Sequence, residues 1–252
     1  MNNKRIFPLI VIAVLMIVGF LIYSLVKMEW EERFPDPPPS AGDFNTYELT
    51  LIDPATVLDD IHKGRKLVLQ IQPEPNPMNP PFIMPIRWSQ NDFLEVAQAY
   101  GKIIWQDDLN LWHLYKLSLY KKCDSSDGKF TDAEFLYYQE VTKGKENLYS
   151  VRGIDLSPEY GQLRWGGDTY YPRPLFGWKA INLKEVTVTA EEALRRAEAS
   201  GGLNARQSWE NKCKIDVQLW PQGFERYAWR VNYWNNDISN ENRRVEFWIP
   251  TK

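Results

Sequence analysis

Residues Ile6 to Val26 read IFPLIVIAVLMIVGFLIYSLV, 21 residues without a charge. As a helix, such a run is about 31 Å long, the thickness of a bilayer hydrocarbon core. A soluble fold would have to bury every face of it. A cleaved signal peptide would have a shorter apolar region ending in a small-x-small site. Here the run ends in Tyr23, Ser24, Leu25, Val26 and Lys27, the nearest following Ala is Ala41, and no Cys stands close behind it for lipid attachment. The expectation is an uncleaved transmembrane helix over 6–26 in contact with the lipid bilayer. Lys4 and Arg5 stand before it without an acid, whereas Lys27 and Arg33 beyond it are diluted by Glu29, Glu31 and Glu32. That asymmetry predicts a cytoplasmic N-terminus and an extracytoplasmic C-terminal domain, in a single-pass cell-membrane protein. Tyr23 and Trp30 suit the outer interface.

The rest of the chain is of a different kind. With 30 Lys and Arg against 33 Asp and Glu, the formal charge is −3. No basic cluster stands beyond residue 33, so nucleic acid is not expected as a partner. The two cysteines, Cys123 and Cys213, both lie in the translocated part. Two readings stand for them: a disulfide, which that compartment permits, or two buried thiols. Neither has a partner at metal-ligand spacing.

Residues 33–46 carry the run PDPPPS, which favours an extended spacer. Asp53-Pro54 opens a short helix that Gly64 can end. KLVLQIQ over 66–72 alternates like a strand, and six prolines between 73 and 87 keep the next stretch out of regular structure. Then a pattern recurs at an offset of 100 residues. Ser89 and Asp92 precede an apolar helical face at Phe93, Val96, Ala97 and Tyr100, ended by Gly101. Thr189 and Glu192, the better capping-box pair, precede Ala193, Leu194 and Ala197, ended by Gly201. β-patterned runs come after each: 109–120, 130–141 and 149–156 after the first, 214–220, 226–234 and 243–249 after the second. In the last three, Ile215/Val217/Leu219, Tyr227/Trp229/Val231/Tyr233 and Val245/Phe247/Ile249 alternate with mostly polar residues, the pattern of a sheet with one buried face. Recurrence by chance between two capped helices stands as the alternative to a true repeat.

The stretch VTVTAEEALRRAEASGG, followed by KIDVQLW, ERYAWRVNYW and RRVEFWI, resembles a PepSY domain. The resemblance covers about 186–252, and it departs from the family at the end, where the chain reads Pro250-Thr251-Lys252 in place of a D-x-x-T-G turn. It implies a capped helix on three antiparallel strands, in a non-catalytic module that binds or restrains an extracytoplasmic partner such as a peptidase. Residues 87–156 would be a more divergent copy.

Catalytic patterns are weak. His62 and His113 are the only histidines, too few and too far apart for a zinc peptidase motif. Ser118-Leu-Tyr-Lys121 matches S-x-x-K inside a β-patterned run, without the K-T-G that should accompany it. CDSSDGKFTDAE over 123–134 has the Gly and Glu of a calcium loop but begins with Cys123, and Asp127-Gly128 reads better as a hairpin turn. Asp107 and Asp108, being adjacent, would point to opposite faces of a strand. The segment 163–178, LRWGGDTYYPRPLFGW, concentrates Trp165, Tyr170, Tyr171, Phe176 and Trp178, either a partner-binding surface or rings packed between two halves.

The fold class expected is thus α+β: a transmembrane helix, then two helix-plus-antiparallel-sheet units. The expected organisation is an anchor over 1–32, a spacer over 33–46, a first unit over 47–160, an aromatic connector over 161–185 and a PepSY-like unit over 186–252. The expected function is a membrane-anchored, non-enzymatic binding or regulatory module for an envelope protein or peptide partner, with no cofactor. An envelope enzyme with a carboxylate site and a structural subunit of an envelope or secretion complex are the alternatives.

Overall fold

In the computed structural model the described residues are 47–72, 86–106, 112–124, 127–171, 180–222, 226–235 and 243–252. Their dominant element is one nine-stranded sheet in the order β2-β1-β6-β5-β4-β3-β7-β8-β9, antiparallel throughout. The strands are β1 (Tyr47–Leu51), β2 (Gln70–Gln72), β3 (His113–Lys122), β4 (Asp132–Lys143), β5 (Glu146–Ser157), β6 (Gln162–Tyr171), β7 (Lys214–Gln222), β8 (Arg226–Asn235) and β9 (Arg243–Pro250). The helices are α1 (Val57–His62), α2 (Gln90–Trp105), α3 (Ala190–Ala197) and α4 (Leu203–Ser208).

The fold class is corrected by this arrangement. The described chain is mainly antiparallel sheet, not an α+β pair of separate helix-plus-sheet units, because β3 and β7 pair along Leu117↔Leu219 to Lys122↔Lys214 and merge both meanders into one sheet. No helix among the described residues is long and apolar enough to cross a membrane, so the structure does not supply the single-pass transmembrane helix expected. The run 6–26 lies outside the described residues, as does the spacer 33–46.

Alternation puts Leu117, Leu119, Phe135, Ile154, Leu156, Leu163, Val217, Leu219, Trp229 and Val231 on one face, each buried. α2 covers this face with Phe93, Val96, Ala97 and Tyr100, and α3 with Ala193, Leu194 and Ala197. The small side chains of α3 let it approach closely, and Trp229 fills the space beneath its start, donating its indole N–H to the Val188 carbonyl at 2.7 Å. β8 is the central strand of the last three, as its long alternation predicts.

The helix ends differ from expectation in detail. α2 passes through Gly101, which is buried, and ends at Trp105 with Gln106 in the left-handed conformation. Ile104 and Trp105 pack on the core, and this offsets the roughly 1 kcal/mol that glycine costs in a helix interior. The complete capping box belongs to Ser89 and Asp92. Thr189 accepts from the Glu192 N–H, but the Glu192 carboxylate turns to Arg195 and Arg196 instead of closing the box. Gly201, at φ +121°, kinks the chain between α3 and α4. Gly202 packs so close to Tyr233 that a Cβ there would stand 2.6 Å from the ring.

Two contacts bind the halves where positions 100 residues apart meet. The Ala190 N–H donates to Gln90 Oε1 at 2.7 Å, and the Gln90 N–H donates to Glu191 Oε1 at 2.6 Å, so the two helix N-termini cap each other. In the sheet below, Ser118 lies directly opposite Gln218. At the end of the same strand pair, Cys123 and Cys213 form a disulfide with a Cα separation of 5.2 Å, and the Cys123 N–H donates to the Cys213 carbonyl at 2.9 Å.

Candidate binding surface

The residues between the core positions turn to the face opposite α2 and α3. On β3 these are Lys116, Ser118 and Tyr120; on β7, Asp216, Gln218 and Trp220; on β8, Arg230 and Asn232; on β9, Arg244, Glu246 and Trp248. Strict alternation places them there, and the cross-strand pairs Ser118↔Gln218, Gln218↔Arg230 and Arg230↔Trp248 line them up across four strands.

Two patches result. Near the β3–β4–β7 junction lies a polar knot. Lys116 Nζ stands 2.7 Å from Glu134 Oε2, and the Tyr120 hydroxyl donates to the same oxygen at 3.0 Å. Burial, reinforced by the charges of Glu134 and Asp216, pushes the Tyr120 phenol well above its usual range. Burial likewise raises Asp216 to about 7, against the pull of Arg230 and Lys116. Asp216 Oδ1 and Ser118 Oγ are buried without a hydrogen-bond partner among the described residues. Glu134 is engaged by Lys116 and Tyr120, and Ser118 has no base in hydrogen-bond contact among the described residues.

Toward β9 lies an aromatic and cationic row. The Arg230 guanidinium stands between two indoles, 5.7 Å from the Trp220 ring and 5.9 Å from the Trp248 ring. Glu246 organises this row: Arg230 Nε donates to its Oε2 at 3.0 Å, Arg244 Nη2 to the same oxygen at 2.7 Å, and the Trp248 indole N–H to Oε1 at 2.7 Å. The Trp220 indole N–H is held by Gln218 Oε1 at 2.9 Å. Trp248 is 40 % exposed and, among the described residues, stands out from the surface with the large hydrophobic residues Val68, Tyr170 and Leu203. Its indole is thus fixed through the N–H, with Arg230 over the ring and part of its surface exposed.

The aromatic segment singled out from sequence is placed differently. Residues 162–171, expected to begin a connector, are strand β6, with a register irregularity opposite Val151 and Gly153. Trp165 pairs with Ile154 and is half-buried against the core, with its Nε1 buried and without a hydrogen-bond partner among the described residues. Tyr170, 41 % exposed, pairs with Ser150, while Tyr171 pairs with Tyr149 and so faces the other way. The three rings therefore do not share one face. Phe176 and Trp178 lie outside the described residues.

The weaker motifs are also placed. Ser118 and Lys121 point to opposite faces of β3, and Lys121 Nζ donates to the Asp127 carbonyl beneath the 123–130 turn. Arg87 and Lys121 occupy Asp127 there, which suits a cation-held turn better than a calcium loop. His62 meets Glu95 at 3.0 Å on the surface, and His113 stacks on Tyr138. Asp107 and Asp108 lie outside the described residues. No group of three or more His, Cys, Asp or Glu suited to a metal ion occurs among the described residues.

Sequence reasoning passes over Trp220, Arg230 and Trp248. A signal is present: each occupies a position that strand alternation assigns to the polar face, where a Trp has no core to fill. No protein-family model matches the chain, and no curated protein or solved structure matches it either.

Proposed function

We propose that this chain is a non-catalytic module that binds a protein or peptide partner outside the cytoplasm, at the cell envelope, and that Trp220, Arg230, Glu246 and Trp248 form the recognition surface. The observation that carries this reading is the Trp–Arg–Trp row on the face opposite α2 and α3. Trp and Arg are the residues in which binding energy concentrates, and desolvated cation–π contacts add to it. Their pre-ordering by Glu246 and Gln218 lowers the entropy lost on binding. The Cys123–Cys213 bond supports an oxidising compartment. The apolar run 6–26 supports contact with a lipid bilayer. The resemblance of 186–252 to a PepSY domain agrees with a role in restraining an extracytoplasmic partner.

The test is site-specific photo-crosslinking in cells, with a photoreactive amino acid replacing Trp220 or, as a control on the helix side, Lys63. The expected result is one protein crosslinked from 220 and not from 63. That protein, purified, should bind the full chain, and Arg230→Ala with Trp248→Ala should weaken binding at least tenfold in a variant that still unfolds cooperatively. Equal crosslinking from both positions, or binding indifferent to the double substitution, overturns the assignment of this surface.

A further inference from the structure

The two meanders differ at their outer edges. β3-β4-β5 and β7-β8-β9 are each preceded by a capped helix and meet at β3–β7, so β9 holds in the second the place that β5 holds in the first. The outer edge of β5 is filled by β6, paired from Tyr149↔Tyr171 to Ser157↔Gln162. β9, among the described residues, pairs with β8 alone.

The phase of that edge can be read from one bond. The Thr251 N–H donates to the Tyr227 carbonyl at 3.2 Å, in register with Ala228↔Pro250. Hydrogen-bonded and non-bonded pairs alternate along an antiparallel ladder. Ile249, Phe247 and Val245 therefore turn their backbone groups to β8, and Trp248, Glu246 and Arg244 turn theirs outward. Pro250 has its nitrogen on the outer side, where a proline interrupts no bond to β8. Below the sheet, Val245 and Phe247 are only partly buried, whereas in the first meander the β6 residue Leu163 is fully buried beside Leu156. Among the described residues, the second meander lacks the residue that would close its apolar layer.

We propose that the outer edge of β9 takes up an extended segment of the partner polypeptide as an added antiparallel strand, as β5 takes up β6; this rests on the binding function above and gives its mode. Backbone bonds to Arg244, Glu246 and Trp248 supply the pairing, and pockets for alternate side chains supply the selectivity. The chemistry of the segment is set by the side chains it would meet. Read from its N-terminus, it carries an aromatic residue opposite Trp248, apolar residues opposite Phe247 and Val245, and an acid opposite Arg244. Arg230 and Arg244 share the single carboxylate of Glu246, so this trio carries one surplus positive charge, which a segment bearing an acid matches and a second copy, bringing the same surplus, does not; a foreign segment is therefore the occupant assigned.

The probe is the peptide Ser-Tyr-Val-Thr-Val-Glu-Ser, which meets that pattern, joined after Lys252 of the full chain by a flexible Gly/Ser linker. Tethering raises its effective concentration to the millimolar range. Hydrogen exchange of residues 243–250 is read with and without it. The expected result is at least tenfold slower exchange at Arg244, Glu246 and Trp248, lost when the central Thr of the probe is replaced by Pro. No slowing, or equal slowing by the Pro version, overturns the proposal. Slowing in the untethered chain that grows with protein concentration also overturns it, and assigns the edge to a second copy. The tethered chain also separates the two proposals. If its own strand abolishes partner crosslinking from position 220, strand addition stands. If that crosslink persists undiminished, the face still binds and the edge proposal falls.

Discussion

The two faces of the sheet are made from alternate residues of the same strands, yet they do different work. On β8, Trp229, Val231 and Tyr233 are fully buried under the helices, while Arg230 between them reaches two indoles on the opposite side. The covered face is apolar, and its Trp229 places its N–H on a backbone carbonyl. The opposite face is mixed: Leu136, Val151 and Ser118 are fully buried on it, while toward β9 Trp220 and Trp248 place their N–H groups on Gln218 and Glu246. The surroundings of an aromatic residue on β8 and β9 thus depend on its strand phase: in phase with the core Trp229 is fully buried, out of phase Trp248 is 40 % exposed.

The largest expected effect tests the covered face. Trp229→Ala removes a fully buried indole and should cost about 3–5 kcal/mol in a urea titration of the full chain. A loss no greater than that of Trp248→Ala would erase the distinction between the faces. The next effect concerns the joint between the halves. Replacing both Cys123 and Cys213 by Ser opens a loop spanning 90 residues and should cost about 2–4 kcal/mol in the chain-entropy view. The same loss should appear on adding reductant to the unsubstituted chain and be absent in the double variant.

Asp216 carries the prediction with a sign opposite to the others. Its carboxyl is raised to about 7 in the folded chain, chiefly by burial, against roughly 3.9 when unfolded. Between these values the folded state binds more protons than the unfolded one, so stability falls as pH rises from about 4 to about 7 and then levels. Asp216→Asn should remove that slope and stabilise the protein at pH 8 by on the order of 2 kcal/mol. Equal slopes in both proteins would show that the knot around Ser118 and Tyr120 is better solvated than its burial implies. The smallest effect on stability belongs to the open row. Trp248→Ala, which removes one hydrogen bond and one cation–π contact at a half-exposed site, should lower the unfolding free energy by about 1 kcal/mol, while lowering partner binding at least tenfold.

Much of the fold is legible in the sequence, and the parts that are not have physical causes. β7, β8 and β9 are legible because each alternates cleanly, and the α3 face because its Ala and Leu recur at helical spacing behind a Thr cap. β6 is not, since Gly166-Gly167 and the neighbouring aromatics look like loop chemistry, whereas glycine in a strand often marks an irregularity of pairing. The stronger capping pair is hidden because Glu192 has two competing arginines one turn away, which a cap pattern does not weigh. Among the site residues, Trp165 stands out in sequence as one of a cluster, yet its phase on β6 turns it to the core.

By itself the sequence determined what is local: the helices behind Ser89 and Thr189, the strands that alternate cleanly and their apolar faces, and that a 21-residue apolar run precedes them. Those properties depend on neighbours a few positions apart, so periodicity and capping chemistry report them directly. The tertiary structure alone decided that the two meanders are one sheet, that Cys123 and Cys213 meet, and that Trp220, Arg230 and Trp248 stand in a row. Each of these joins residues between about ten and a hundred positions apart, through a strand register that no local pattern encodes. The proposed recognition surface is a product of that register: shift β8 by one residue against β9, and Arg230 turns from the indoles into the core.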